Sequence, residues 1–232
     1  MVAQAMEQQV LCVRRATLQE RLGGIPLGLT VDQEALTAFQ EAVRSTGEFR
    51  PRPALEEDPT YLQVIVQGLV TDGASVLALF RKSREPQTDR FVETRHNAKI
   101  ALSSGGHVEP VEANSGDVLR AALERELSEE LVFTPVPPRS ALLPLGLVCN
   151  AAPDASLFHR VHMGMVFLVP VPGAVHLPEG SNEFEHVELA GRDRLRELLP
   201  RMEEWGQILA DAILDGRLSL DIPETVVAKK RR

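Results

Sequence analysis

Leu119, Leu123, Leu127 and Leu131 recur every four residues, and the positions between them are rich in acid. That spacing puts the four leucines on one stripe of a helix, to be buried against a core. On the same helix Glu126, Glu129 and Glu130 stand at i, i+3 and i+4 and share a second face. Three carboxylates at this spacing repel one another by a few tenths of a kcal/mol per pair. Such a face is either left in water or neutralised by a cation. A hard divalent ion such as Mg²⁺ takes oxygen ligands, keeps several waters and is commonly shared with substrate phosphates.

The neighbouring residues favour the second reading. Arg125 lies about 100° around the helix from Glu126 and is placed to brace a carboxylate rather than to ligate. Asp117, about two turns upstream, is a candidate partner for it. Ser115 is the expected N-cap. Gly105-Gly106 precedes the helix and reads as a sharp turn that approaches a ligand closely and offers a backbone carbonyl.

Elsewhere the patterns predict an α+β chain. Asp32 caps an expected helix to Arg44, with Leu36, Phe39, Ala42 and Val43 facing a core. Residues 61–70 and 75–80 read as a hairpin, with Thr71-Asp-Gly-Ala as the turn. Residues 81–97 read as loop, and Lys99 to Ser103 as a short strand. Residues 141–149 and 161–169 are further strands. Glu179 to Glu188 reads as a polar stretch able to fold over a site. Helices are expected at 191–199, ended by Pro200, and at 202–214. The expected organisation is an N-terminal extension (1–58), a main domain (59–222) and a flexible basic tail (223–232).

The segment from Gly105 to Phe133 resembles the signature of the Nudix hydrolases. Gly106 matches its opening glycine, and Arg125-Glu126-Leu127-Ser128-Glu129-Glu130-Leu131 matches its core without a gap. Asp117 stands where the family has its first glutamate, after a loop five residues longer than the pattern. Val132 replaces the final glycine, so the helix end must be built without a left-handed residue. The Gly-Gly-His opening and the stretch Glu57 to Gln63 resemble a subgroup of predicted phosphoesterases within that family.

The resemblance implies a mixed β-sheet sandwiched between helices. It implies Mg²⁺ or Mn²⁺ bound by Glu126, Glu129 and Glu130 with the Gly106 carbonyl, Arg125 orienting the glutamates and Asp117 and His107 supporting. The implied reaction is hydrolysis of a phosphoanhydride bond, with water attacking phosphorus in a nucleoside diphosphate linked to another group. The general base is open between Glu129 and the later Glu183, Glu185 and Glu188. Two alternatives are a diphosphate-binding module of low turnover and an isoprenoid diphosphate isomerase.

A basic run, Arg81, Lys82, Arg84, Arg90, Arg95 and Lys99, is either a phosphate-attracting patch or a solvated surface. His107 is expected to contact phosphate or to hold the long loop. His159 and His162, three apart on a strand, would face opposite sides and suit no shared metal. His186 is placed near the site mouth or at the surface. Cys12 and Cys149 read as buried spectators. The net charge of −8 argues against a nucleic-acid partner. No apolar run has the length of a membrane span, and residues 1–15 do not read as a secretory signal. A cytoplasmic enzyme is expected, and a homodimer on the general prevalence of symmetric pairs.

Overall fold

The computed structural model describes residues 8–83, 99–150, 155, 157–171 and 173–223. In chain order the elements are β1 (Gln9–Arg14), α1 (Arg15–Leu22), β2 (Gly28–Thr30), α2 (Gln33–Thr46), β3 (Glu48–Pro51), α3 (Arg52–Leu55) and β4 (Tyr61–Thr71). They continue with β5 (Val76–Arg81), β6 (Ile100–Ala101), β7 (Ser104–His107), α4 (Val118–Glu130), β8 (Val132–Thr134) and β9 (Leu143–Cys149). The last are α5 (Leu157–Arg160), β10 (His162–Pro170), β11 (Ala174–His176), β12 (Phe184–Ala190), α6 (Arg192–Leu198) and α7 (Glu204–Leu214). Ten strands belong to one large sheet, while β8 and β11 form a small one. This is the expected α+β class. No helix among the described residues is long and apolar enough to cross a membrane.

The chain forms two compact units. Unit one comprises Met1–Val66, Gly106–Ala122 and Leu145–Val166; unit two comprises Gln67–Gly105, Leu123–Pro144 and Phe167–Arg232. In unit one, β1 pairs antiparallel with β3 and with the start of β4, where Cys12 stands opposite Gln63. Strand β2 pairs with β9. Helix α2 forms as its pattern dictates. The Asp32 side chain accepts from Ala35 N, and Leu36, Phe39, Ala42 and Val43 are the buried face. Cys12 and Cys149 are free and buried, and burial pushes the Cys12 thiol up to about 12.

In unit two, the end of β4 turns into β5 through Thr71 and Val76, and β5 pairs along its length with β12. The polar stretch expected at 179–188 is therefore strand from Phe184 onward. Its charged side chains hid a pairing that only the partner β5 defines. Helix α7 follows, with Trp205 and Leu209 buried.

Gly68 explains how the second half of α4 is seated. A Cβ there would lie 3.1–3.2 Å from methyl carbons of Leu123, Leu127 and Val169, so the leucine stripe packs on bare backbone. Gly68→Val is expected to cost about 1–3 kcal/mol by overpacking. A thermal melt checks this, and an unchanged midpoint would contradict the packing.

Candidate active site

The helix carrying the glutamates begins later than expected. Asp117, not Ser115, caps α4: its Oδ1 accepts from Arg120 N at 3.1 Å and its Oδ2 from Arg120 Nε at 3.1 Å. Ser115 Oγ is buried and has no hydrogen-bond partner. The glycine pair is also not a turn. Gly105 and Gly106 lie within strand β7.

At the other end, Leu131 N still donates to Leu127 O, and the chain passes directly into β8. Val132 sits in that strand opposite His176, in extended backbone that a β-branched residue favours. The departure from glycine thus costs no strain.

The site is built within unit two. Ser104, fully buried on β7, donates its hydroxyl to Glu130 Oε2 at 2.6 Å, and the Gly105 amide also serves this carboxylate. The Glu130 residue keeps part of its surface, but its carboxyl is in the interior. Burial pushes its pKa from 4.5 up to about 7. The nearby Glu126 adds to the rise, while the Ser104 hydroxyl, Arg81 and the Gly105 amide oppose it.

Arg125 holds the other two acids. Its Nη1 is 2.7 Å from Glu126 Oε1 and 3.4 Å from Glu129 Oε2. Glu126 is largely covered, whereas the Glu129 side chain is 57% exposed and so the most accessible of the three to water. Among the described residues, no three His, Cys, Asp or Glu side chains are drawn together as a ready-made metal group. For Glu126 and Glu129, the Arg125 guanidinium supplies the neutralising charge that a metal ion would supply. The donor chemistry nevertheless suits a hard divalent cation, being all carboxylate on one helix face.

Arg81 ends β5 and reaches the same carboxylate electrostatically. Its guanidinium bonds Glu183 through Nη1, lies 3.3 Å from Glu203 Oε2 through Nε, and sits 5.0 Å above the Phe184 ring. Of the three later glutamates, only Glu183 is thus tied to a group that acts on Glu130. Glu188, on β12, is held by Arg194 at 2.7 Å, which lowers its pKa. Glu185 is exposed at a bulge in the same strand. Lys82 donates to Ser181 O at 2.5 Å and so fastens a loop, and Lys99 is exposed. Arg84, Arg90 and Arg95 lie outside the described residues.

Sequence reasoning missed Ser104 and Glu203. Both act across long separations that no local spacing reveals.

The histidines also fall differently from expectation. His159 is in the short helix α5 rather than on a strand, while His162 opens β10, and both are buried. His186 is on β12, tilted against Phe80 at 5.1 Å. His107, in unit one, bonds Gln63 and His162.

No protein-family model matches the chain, and no curated protein does. Solved structures do match. Tm1382, a candidate Nudix hydrolase, superposes with a TM-score of 0.69 at 26% identity, over 90% of this chain and 99% of its own. The chain has the Nudix fold. That likeness marks it as an enzyme of the Nudix type.

Other solved structures match less well, at too low a likeness to inform the chemistry. A bifunctional NMN adenylyltransferase/ADP-ribose pyrophosphatase from Francisella tularensis, complexed with AMP and a manganese ion, gives a TM-score of 0.47 at 18% identity. The match covers 67% of this chain and 42% of that one, so this chain corresponds to less than half of that protein. A MutT protein from Methanosarcina mazei Go1 gives 0.43 at 17% identity, over 67% of this chain and 94% of its own.

Proposed function

We propose that this Nudix-type enzyme hydrolyses a phosphoanhydride bond in a nucleoside diphosphate linked to another group, with Mg²⁺ or Mn²⁺ as cofactor. The observation that carries the reading is the Glu130 carboxyl. It is buried against Ser104 and the Gly105 amide, on the helix that also bears Glu126 and Glu129. Burying an ionised acid beside another acid is costly unless a proton or a cation neutralises it. Glu126, Glu129 and Glu130 would hold the ion, and the family resemblance adds the Gly106 carbonyl. The ion, when bound, polarises a phosphoryl oxygen and lowers the pKa of water.

The protein's own groups do the rest. Arg125 steers the Glu126 and Glu129 carboxylates. Glu129, the most exposed of the three, is best placed to take a proton from water. Arg81, locked by Glu183 and Glu203, offers a fixed positive charge for phosphate. The enzyme would act on small molecules in the cytoplasm, as a homodimer, without nucleic acid or membrane.

The test is a panel of sugar nucleotides, dinucleoside polyphosphates, dinucleotide cofactors, coenzyme A and nucleoside triphosphates. Each is incubated with Mg²⁺, Mn²⁺ or EDTA, and the products are resolved by mass. Cleavage of one class into two phosphate-bearing products, one of which carries an oxygen from water, abolished by EDTA, is the expected outcome. Binding of a panel member without turnover would replace hydrolysis with a binding role. Isomerised product without cleavage would replace it with isomerase chemistry.

A further inference from the structure

Gln63 on β4, His107 at the end of β7 and His162 at the start of β10 all belong to unit one, and none is one of the glutamates discussed above. His107 Nε2 lies 2.9 Å from Gln63 Oε1 and 3.3 Å from His162 Nε2. One ring nitrogen therefore faces two groups. An imidazole nitrogen carries a single in-plane proton or a single lone pair, so hydrogen bonding serves only one of these neighbours well.

Gln63 gives an independent sign. It is fully buried, as is His162, and its Nε2 has no hydrogen-bond partner. Buried side-chain polar atoms normally have a hydrogen-bond partner. This amide keeps its oxygen on the His107 imidazole and leaves its NH₂ unpaired. A cation beside His107 Nε2, shared with its two neighbours, accounts for that orientation.

The distances fit such an ion. Two imidazole nitrogens on one tetrahedral centre, each with a bond of about 2.05 Å, are about 3.3 Å apart, and their ring centroids about 5.2 Å apart. Here the nitrogens are 3.3 Å apart and the centroids 5.3 Å apart, with the ring planes inclined at 67°.

We propose that His107 Nε2, His162 Nε2 and Gln63 Oε1 form a binding site for one divalent transition-metal ion of the Zn²⁺ class. Imidazole selects such ions over Mg²⁺, which prefers an all-oxygen shell. Water completes the shell from the side of His107, the one of the three that keeps exposed surface. The ion ties together three strands, β4, β7 and β10, whose ligands are 44 and 55 residues apart in sequence. It acts as a staple, and it does not depend on the reading of the glutamates as a catalytic site.

The experiment uses untagged full-length protein stripped with EDTA and titrated with Co²⁺ under excess Mg²⁺, which occupies carboxylate sites. The expected result is the visible absorption of tetrahedral Co²⁺, saturating at one ion per chain and displaced by Zn²⁺, with a rise in melting temperature. His107→Ala, at the partly exposed position, should weaken Zn²⁺ binding by more than about tenfold while keeping the native circular dichroism. Glu130→Gln should leave the titration unchanged. The proposal is overturned by folded wild type that binds no ion under excess Mg²⁺. Equal binding by folded His107→Ala, or loss of the signal in Glu130→Gln, overturns it as well.

Discussion

Glu130→Gln is expected to lower kcat/KM on the best substrate by about 10²–10³-fold, equivalent to roughly 3–4 kcal/mol of transition-state stabilisation. The substitution keeps the shape of the side chain and leaves an acceptor for the Ser104 hydroxyl, which is 2.6 Å away. It removes the charge that would hold a divalent ion. The loss should therefore appear without unfolding, and excess metal should restore only part of it. Glu124→Gln is the control, since Glu124 lies on the same helix but pairs at the surface with Arg139 at 3.2 Å. Its activity should change by less than about twofold, in line with the small worth of exposed ion pairs. Equal losses in the two variants would mean that general acidity of the helix, not the buried carboxyl, carries the effect.

The second large effect is on stability and follows from the same carboxyl. Its pKa is 4.5 when unconstrained and about 7 in the folded protein. Between those values the folded chain keeps a proton that the unfolded chain has released. Stability without metal must then fall as pH rises from about 4.5 through about 7, by up to roughly 3 kcal/mol. Below about 4.5 both states are protonated, and the full contribution is present. Glu130→Gln, which never ionises, should lose this part of the slope and be more stable than the metal-free wild type at pH 8. A divalent ion competes with the proton, so its affinity should climb over the same window. Urea unfolding in EDTA across the range checks the sign. A wild-type curve that rises from pH 5 to pH 7 relative to the variant would contradict it.

Much of this was legible from residues that act on their neighbours. The periodicity of Leu36, Phe39 and Val43 and the Asp32 cap located α2, because each contact spans a turn or less. The apolar run from Tyr61 and the turn that follows it located the β4–β5 hairpin. The cap of α4 slipped from Ser115 to Asp117 because both residues can cap, and only the position of Val118 as first helical residue decides between them. Gly105-Gly106 looked like a turn because glycine is poor in strands, yet β7 is held by pairing with β4, a distant partner. The strand β12 was hidden by Glu185, His186 and Glu188 for the same reason.

The site divides along the same line. Glu126, Glu129, Glu130 and Arg125 lie within about one and a half turns of one helix, so their spacing alone groups them as candidates. Ser104 meets Glu130 across 26 residues, Arg81 meets Glu203 across 122, and His107 meets His162 across 55. No pattern in the chain encodes those meetings, which are products of the sheet.

The most direct test of the central claim is crystallographic. Crystals soaked in Mn²⁺ with a non-hydrolysable diphosphate analogue would be measured at the manganese edge, where anomalous scattering locates the ion. The account predicts a manganese peak at about 2.0–2.2 Å from carboxylate oxygens of Glu126, Glu129 or Glu130, bridged to the analogue's phosphates. A well-ordered analogue with no anomalous peak at these glutamates would contradict it.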